Sequence, residues 1–160
     1  MATANKNLSV YDKETVPDAK DLRFGIVVSE WNSEITEGLF SGAMAALLDC
    51  GAVDGNIIRW NVPGSFELTY GCKKLMASQK LDAVIAIGSV IQGETKHFDF
   101  VCSATAQGIM DLNSTGDVPV IFCVLTDDTL QQAQERSGGK HGNKGTEAAI
   151  AAIKMASLGN

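Results

Sequence analysis

The residue types most capable of chemistry lie together in one short segment, QGETKH at residues 92–97. It follows an apolar run at residues 83–88 and ends on one of the two histidines in the chain. Imidazole titrates near neutral pH and suits proton transfer, although an isolated histidine also serves as a surface or capping residue. Gly93 permits close approach of the backbone, and Glu94 and Thr95 supply amides and a hydroxyl. The segment therefore predicts an anion site, with His97 as a candidate for proton transfer.

A second group of candidates surrounds the glycine-rich segment at residues 137–145. Arg136, Lys140, His141 and Lys144 concentrate positive charge there, in a chain whose net charge is −6. Arginine and lysine side chains beside flexible backbone suit the capture of an anion such as phosphate. A solvated loop between two helices is the alternative interpretation.

Two further corners carry aromatic or polar residues directly after predicted strands. Trp31 follows the first strand, where it either packs beneath the next helix or offers a ring face for stacking on a flat ligand. Ser65 is predicted to cap the helix after the second strand. Glu67 lies in the first turn of that helix, where it either complements the helix dipole or accepts hydrogen bonds from ligand hydroxyls.

The elements that position these residues alternate along the chain. Four short apolar runs are typical of buried strands, and each is followed by a segment with helical spacing. Such alternation implies parallel pairing through right-handed crossovers, with ligands bound beyond the carboxyl ends of the strands. The sequence therefore predicts an α/β fold, a three-layer flavodoxin-like sandwich with a four-stranded parallel sheet flanked by helices. The predicted strands span residues 24–28, 56–62, 83–88 and 119–125.

Details of the helices are also predicted. Gly38 and Gly42 lie one turn apart in the first helix and weaken it in isolation, which indicates that another backbone packs closely there. An alanine-rich helix closes the chain from about residue 146 to residue 157. The predicted caps are Asn32 or Ser33 for the first helix, and Thr126 or Asp127 for the short helix after the fourth strand.

The composition is that of an ordinary globular protein, with 160 residues of which 45% are hydrophobic and 20% charged. An acidic chain has no electrostatic reason to bind nucleic acid or an anionic membrane, and no apolar run approaches the roughly 18 residues of a membrane span. The four cysteines are widely spaced and form no CxxC motif, which is typical of small buried side chains in a protein of the reducing cytoplasm. We therefore expect a cytoplasmic protein with no nucleic-acid or membrane partner, no disulfide and no zinc site.

The first 21 residues differ from the remainder of the chain. They have no apolar core and so do not read as a secretory signal. Their polar composition favours a disordered tail. The alternative is an arm in which residues 8–11 add a strand to the sheet of a neighbouring subunit and cover its edge. Residues 22–160 are predicted to form a single domain.

Five segments, in order, resemble the lumazine synthase family across residues 22–158. They are SEWN (29–32), VPGSFEL (62–68), GSVIQGETKHFDFV (88–101), PVIFCVLT (119–126) and ERSGGKHGNKG (135–145). The resemblance implies a transferase of riboflavin biosynthesis that condenses 5-amino-6-(D-ribitylamino)uracil with 3,4-dihydroxy-2-butanone 4-phosphate. Its products are 6,7-dimethyl-8-ribityllumazine, phosphate and water. The family uses no metal ion or organic cofactor, so we expect none.

The resemblance also implies roles for particular residues. Trp31 would stack on the pyrimidine ring, and Glu67 would hold hydroxyls of the ribityl chain. His97 matches the proton-transfer residue, and Arg136 matches an arginine that an adjacent subunit supplies to the substrate phosphate. Glu147 matches an acidic position that orients Arg136 or His97. The substrate-binding residues implied are Trp31, Asn32, Ser65, Phe66, Glu67, Val90, Ile91, Gly93, Glu94, Thr95, Phe122, Arg136, Lys144 and Glu147.

The chain departs from the family pattern at three positions. Gln92 stands where many members have arginine, which removes a charge near the phosphate loop. Ser89 stands where alanine is common, and Trp31 replaces phenylalanine or tyrosine.

Assembly and rival functions follow from the same resemblance. Family members form homopentamers or hollow icosahedral shells of twelve pentamers, and the short segment at residues 137–145 favours the shell. A pentamer or decamer is the alternative, and riboflavin synthase is a possible partner inside a shell. The rival functions are a non-catalytic binder of lumazine or riboflavin, a flavodoxin-type electron carrier, and a storage cage.

Overall fold

A computed structural model of the chain describes residues 7–159. Strands and helices alternate from Phe24 to Arg136, and single turns of 3-10 helix lie at Lys13–Thr15, Asp54–Asn56 and Ser65–Glu67. The strands are β1 (Phe24–Ser29), β2 (Ile57–Val62), β3 (Ala83–Ile91), β4 (Val120–Asp127), β5 (Ser137–Gly139) and β6 (Gly142–Asn143). The helices are α1 (Ser33–Asp49), α2 (Leu68–Ser78), α3 (His97–Thr115), α4 (Leu130–Arg136) and α5 (Lys144–Ala156).

The first four strands form one parallel sheet in the order β2-β1-β3-β4. Every residue of β1 is buried, because a central strand of a parallel sheet is covered on both faces. β2 and β4 are the edge strands. The carboxyl ends of the strands therefore meet along one side of the sheet, where the polar residues singled out above begin.

Helices cover both faces of the sheet and create two apolar cores. On one face, Leu39 of α1 and Ile153 of α5 pack with Ile85 of β3. On the other, Leu68 of α2 and Ile109 of α3 are part of a second buried cluster. The predicted three-layer α/β sandwich is confirmed. Within residues 7–159, no helix has both the length and the apolar character needed to cross a membrane.

Two strands continue beyond their predicted ends. β3 runs to Ile91 instead of residue 88, and β4 runs to Asp127 instead of residue 125. In the register of the sheet, Ser89 pairs with Leu125 and Ile91 pairs with Asp127. Mutual backbone pairing extends both strands into polar sequence, which the hydrophobic pattern of either strand alone could not indicate.

The predicted caps are partly wrong. Asn32 occupies the N-cap position of α1, but its side chain makes no capping hydrogen bond. Thr129, not Thr126 or Asp127, caps α4: its hydroxyl accepts from the backbone N of Gln132 at 3.2 Å, and the Gln132 side chain completes a capping box. Because β4 continues to Asp127, α4 begins too late for Asp127 to cap it.

The predicted break at residues 137–145 contains a short antiparallel pair, β5 and β6. It packs against α1 at the two glycines. A Cβ added to Gly38 would lie 2.7 Å from the backbone O of Ser137, and one added to Gly42 would meet the side chain of Asn143. The Asn143 side chain also donates a 2.8 Å hydrogen bond to the backbone O of Gly38. The predicted close approach of another backbone is confirmed.

The segment before β1 lies along its own chain from residue 7 onward. The backbone N of Leu8 donates to the backbone O of His141 at 2.8 Å, and Ala19 is fully buried. The Tyr11 hydroxyl donates to Asp49 at 2.8 Å. Burial, together with this carboxylate, raises the pKa of Tyr11 to about 12, so the phenol remains a donor. Residues 1–6 of the predicted tail lie outside the described residues, and strand addition to a neighbour stays a prediction.

Candidate active site

A cleft of about 650 Å³ opens at the carboxyl ends of the first three strands. Parallel α/β sheets bind ligands at this edge. Three strand-to-helix corners form its walls, namely β1–α1, β2–α2 and β3–α3. We call the predicted site residues that line it the cleft group: Trp31, Asn32, Ser65, Phe66, Glu67, Val90, Ile91, Gly93, Thr95 and His97.

The β1–α1 corner presents Trp31 at the mouth of the cleft. Trp31 is 73% exposed, so its indole does not pack beneath α1 and a ring face is available for stacking. Asn32 follows in a left-handed conformation with φ 58°, and its side-chain amide donates to the backbone O of Ser89 at 3.0 Å. The backbone N of Trp31 donates to the backbone O of Pro63 at 3.1 Å. These bonds fix the corner against β3 and against the end of β2.

The β2–α2 corner buries Ser65 and exposes its neighbours Phe66 and Glu67. Ser65 was predicted to cap the next helix, and that prediction is wrong because α2 begins only at Leu68, after a 3-10 turn. The Ser65 Oγ is buried and has no hydrogen-bond partner among the described residues. Since buried polar atoms are nearly always paired, this hydroxyl is suited to a ligand in the cleft.

The β3–α3 corner brings the predicted anion loop beside the imidazole. His97 is exposed and is the first residue of α3. Its backbone N donates to the Thr95 hydroxyl at 3.4 Å. A Cβ added to Gly93 would meet nothing within 4 Å, so the loop is open at that point. The free amides at the start of this long helix favour a negative charge nearby.

Glu94 lies in the same loop and is exposed, but it does not line the cleft. The structure adds lining residues that the sequence analysis did not assign to the site. The most prominent is Phe100, which is 72% exposed and lies off the apolar face of α3. Helical spacing places Phe100 off the apolar face of α3, and an exposed aromatic residue at that position is a signal from which its place in the site could have been predicted. The further lining residues are Gly64, Ser89, Phe98 and Val101.

The remaining predicted residues lie elsewhere, and we call Phe122, Arg136, Lys144 and Glu147 the edge group. They lie on β4 and on the two helices that follow it, and they do not line the cleft. Phe122 is 37% exposed on an edge strand. The Lys144 ammonium donates to the Glu147 carboxylate at 2.7 Å. One chain therefore holds its predicted site residues in two separate groups.

Arg136 lies near a carboxylate that is not among the predicted site residues. Its Nη1 lies 3.9 Å from Oδ1 of Asp127, the last residue of β4. The Asp127 side chain is 9% exposed, and burial raises the pKa of its carboxyl, against the lowering effect of Arg136. The sequence predicts Asp127 as a helix cap and carries no signal of its position beside Arg136.

The four cysteines are free, and Cys50, Cys72 and Cys123 are buried whereas Cys102 is half-buried. Burial raises the pKa of both Cys72 and Cys123 to about 12, which keeps these thiols protonated and unreactive at neutral pH. Among residues 7–159, histidine, cysteine and acidic side chains form no group of three or more able to hold a metal ion.

Comparison with known proteins identifies the family. A sequence model of the 6,7-dimethyl-8-ribityllumazine synthase family matches residues 21–160. The chain belongs to this family. It is 71% identical to the 6,7-dimethyl-8-ribityllumazine synthase of Flavobacterium johnsoniae over 156 residues, which make up 98% of this chain and 82% of that relative. It is 69% identical to the enzyme of the same name from Christiangramia forsetii over 159 residues, or 99% of this chain and 95% of the relative.

A more distant relative in the lumazine synthase family is similar over the same span. The 6,7-dimethyl-8-ribityllumazine synthase of Porphyromonas gingivalis is 59% identical over 158 residues, covering 99% of this chain and 98% of the relative. The matched region contains both the cleft group and the edge group.

All three positions at which we expect departures from the family pattern, namely Trp31, Ser89 and Gln92, lie at or near the cleft. Gln92 is exposed, and its backbone N donates to the backbone O of Asp127 at 2.9 Å. Ser89 lines the cleft, and its buried Oγ has no hydrogen-bond partner in residues 7–159. With Ser29 and Ser65, it makes three buried hydroxyls near the strand ends that have no hydrogen-bond partner among the described residues, and Ser65 and Ser89 line the cleft.

Proposed function

We propose that the protein is a transferase of riboflavin biosynthesis that makes 6,7-dimethyl-8-ribityllumazine, phosphate and water. Its substrates are 5-amino-6-(D-ribitylamino)uracil and 3,4-dihydroxy-2-butanone 4-phosphate. The observation that carries the proposal is the cleft, where an exposed indole, an unpaired hydroxyl, a carboxylate and an imidazole meet in a chain of this family. The names and high identities of the relatives support the same reaction.

Each wall of the cleft suits one part of the substrates. Trp31 offers its ring to the pyrimidine, and Glu67 and the unpaired Ser65 hydroxyl suit the hydroxyl-rich ribityl chain. The backbone of Val90 and Ile91 borders the pyrimidine edge. The loop at Gly93–Thr95 and the free amides of α3 suit the phosphate.

Proton transfer falls to His97 at the start of α3. The 5-amino group attacks the ketone and loses water to form a Schiff base, and phosphate is then eliminated. The nitrogen that bears the ribityl chain attacks the remaining carbonyl and loses a second water as the ring closes. Each step moves protons, and an exposed imidazole beside the anion loop can accept and return them. Much of the acceleration comes from holding the two substrates in a reacting orientation.

We propose further that each complete site lies between two subunits. The cleft of one chain would meet the edge group of its neighbour, so that Arg136 supplies the countercharge to phosphate and Phe122 and Lys144 complete the wall. Two observations support this arrangement: the edge group lies outside the cleft, and it is carried by the edge strand β4 and by the helices that follow it. The assembly would be a homopentamer or a shell of twelve pentamers, with riboflavin synthase as a possible enclosed partner.

A cytoplasmic location agrees with the four free cysteines. A non-catalytic binder of lumazine or riboflavin is not favoured, because a binder needs neither His97 as a proton shuttle nor the cations Arg136 and Lys144.

The proposal is tested by following lumazine formation from the two substrates by absorbance, with the particle size measured by light scattering in the same buffer. We expect turnover by the wild type and a loss of about tenfold to a hundredfold in kcat/KM for Arg136→Ala, because a charged hydrogen bond to phosphate is removed. Lys140→Ala removes the same charge from an exposed loop position and is the matched control, expected to remain within about twofold. Binding of riboflavin or lumazine without turnover by the wild type would contradict the proposal.

A further inference from the structure

The end of β4 holds a buried carboxylate whose charge the proposed reaction does not use. Asp127 pairs with Ile91 at the carboxyl end of the sheet, and its backbone O accepts a 2.9 Å hydrogen bond from Gln92. Its side chain is 9% exposed, and Oδ2 has no hydrogen-bond partner among the described residues. The backbone pairing fixes the main chain of Asp127 at the strand end, with its side chain beside Arg136.

The cation nearest to this carboxylate is Arg136. The distance of 3.9 Å from Nη1 to Oδ1 makes an ion pair without a hydrogen bond. Nη1 instead donates to the backbone O of Gln132 at 2.9 Å, which anchors the guanidinium to its own helix. No other hydrogen bond of the guanidinium occurs within residues 7–159. One hydrogen bond and one ion pair therefore hold Arg136, while most of its N–H donors remain available to an anion.

We infer that Asp127 is a positioning residue that limits the affinity of Arg136 for phosphate and so eases release of the phosphate product. The inference rests on the proposed function, which places the substrate phosphate at Arg136. It differs from the role implied for Glu147, since Asp127 is the carboxylate found at the guanidinium and Glu147 bonds to Lys144.

The physical reason is competition between two anions for one cation. A buried carboxylate is costly unless a positive charge compensates it, and Arg136 provides that compensation. When phosphate binds the same guanidinium, less of the positive charge of Arg136 remains to offset the Asp127 carboxylate. The carboxylate also repels the phosphate. The interior screens this repulsion less than water does. Phosphate is consequently bound less tightly than it would be by the same arginine without the carboxylate.

The test uses Asp127→Asn, which removes the charge and keeps the shape of the side chain. We expect the Kd of inorganic phosphate, measured by isothermal titration calorimetry on the assembled full-length protein, to fall about threefold to tenfold. Product inhibition by phosphate should strengthen by a similar factor, while KM for the ribitylaminouracil substrate is unchanged. A purely structural role of Asp127 would not lower the Kd of phosphate while leaving KM for the ribitylaminouracil substrate unchanged. If Asp127→Asn does not assemble, Asp127→Thr removes the same charge with a residue that favours strands, and the same fall is expected.

Asp128→Asn is the matched control. It changes the net charge equally one position away, but Asp128 is exposed and screened, so the Kd should stay within about twofold. An unchanged or higher Kd in Asp127→Asn overturns the inference, as does an equal fall in both variants. Absence of phosphate binding by the wild type also overturns it. Turnover is measured separately: a fall in Kd without any turnover would support this inference and contradict the proposed function.

Discussion

Ser29, Ser65, Ser89 and Asp127 each bury a side-chain oxygen that has no hydrogen-bond partner among the described residues. Leaving such an atom unpaired costs about 1–3 kcal/mol, so a protein rarely retains several without a use. Ser65 and Ser89 line the cleft and Asp127 lies beside Arg136, whereas Ser29 ends β1 outside the cleft lining. The oxygens of the first three are placed where the proposed substrates would bind or where they would influence an arginine that does.

Exposed residues carry the reactive groups of the same site. For His97→Ala, we expect kcat to fall by about a hundredfold or less while detectable turnover remains, because proton transfer is one contribution beside substrate orientation. The measurement is steady-state lumazine formation, with a melting curve to establish that the variant is folded.

The other histidine provides the control for this variant. His141 lies outside the cleft, within 3.5 Å of Glu135, so His141→Ala should leave kcat near that of the wild type. Complete loss of turnover in a folded His97→Ala variant that still binds substrate would show that the imidazole is indispensable, contrary to this expectation.

At the scale of elements, the close packing of α1 against α5 and the β5–β6 hairpin sets the position of the edge group. The side chain of Asn143 caps α5 by accepting from the backbone N of Gly145 at 2.8 Å, and it also donates to the backbone O of Gly38. One residue thus joins the two helices and the hairpin just before Lys144. The two glycines of α1 are a local pattern that indicates close packing from the sequence alone. The hairpin is held by contacts between distant residues, such as Asn143 with Gly38, and so could not be predicted in this way.

Gly145→Ala tests this packing. The added Cβ would meet the backbone O of Leu39, a fully buried residue of α1 that cannot move easily. We expect the free energy of unfolding to fall by about 2 kcal/mol or more, as overpacking in a close-packed interior does. Chemical denaturation followed by circular dichroism measures the loss.

Gly55→Ala is the control for this substitution, because a Cβ added there meets nothing within 4 Å. Its stability should remain within about 0.5 kcal/mol of the wild type, as for most surface changes. Equal stability of the Gly145 and Gly55 variants would mean that α1 and α5 separate more readily than their packing indicates.

At the scale of the whole molecule, the division of the predicted site into a cleft group and an edge group is the feature with the largest consequence. On a single chain the two groups lie at separate places, and the exposed Trp31 and Phe100 border the cleft. Large apolar side chains exposed at a functional surface are typical of a protein that associates. We therefore expect catalysis to require assembly.

Mixed assemblies test this directly. One chain would carry Glu67→Ala with His97→Ala, which disables the cleft group, and the other would carry Arg136→Ala, which disables the edge group. If each site joins the two groups from neighbouring subunits, random co-assembly at equal amounts restores about a quarter of the wild-type sites. The measurement is the activity of the purified mixed assembly per subunit.

The control for complementation mixes Arg136→Ala with Lys144→Ala. Both changes fall in the edge group, so every interface has one defect and no site is restored. Activity of the first mixture no higher than the mean of its two components would mean that one chain builds the whole site.

The sequence by itself determined the layered α/β fold and most of the cleft. Apolar runs alternating with helical spacing predict a parallel sheet, and the carboxyl ends of such strands meet at one edge, which brought Trp31, Glu67 and His97 together. The signal is local and periodic, so it can be read without coordinates.

Tertiary structure decided the strand ends, the caps and the partner of Arg136. Backbone pairing between Ile91 and Asp127 lengthened two strands, moved the start of α4 to Leu130, and released Asp127 from the predicted cap. The unpaired oxygen of Ser65 likewise depended on where α2 begins. These features depend on contacts between residues far apart in the chain, and the pattern of one segment carries no information about them.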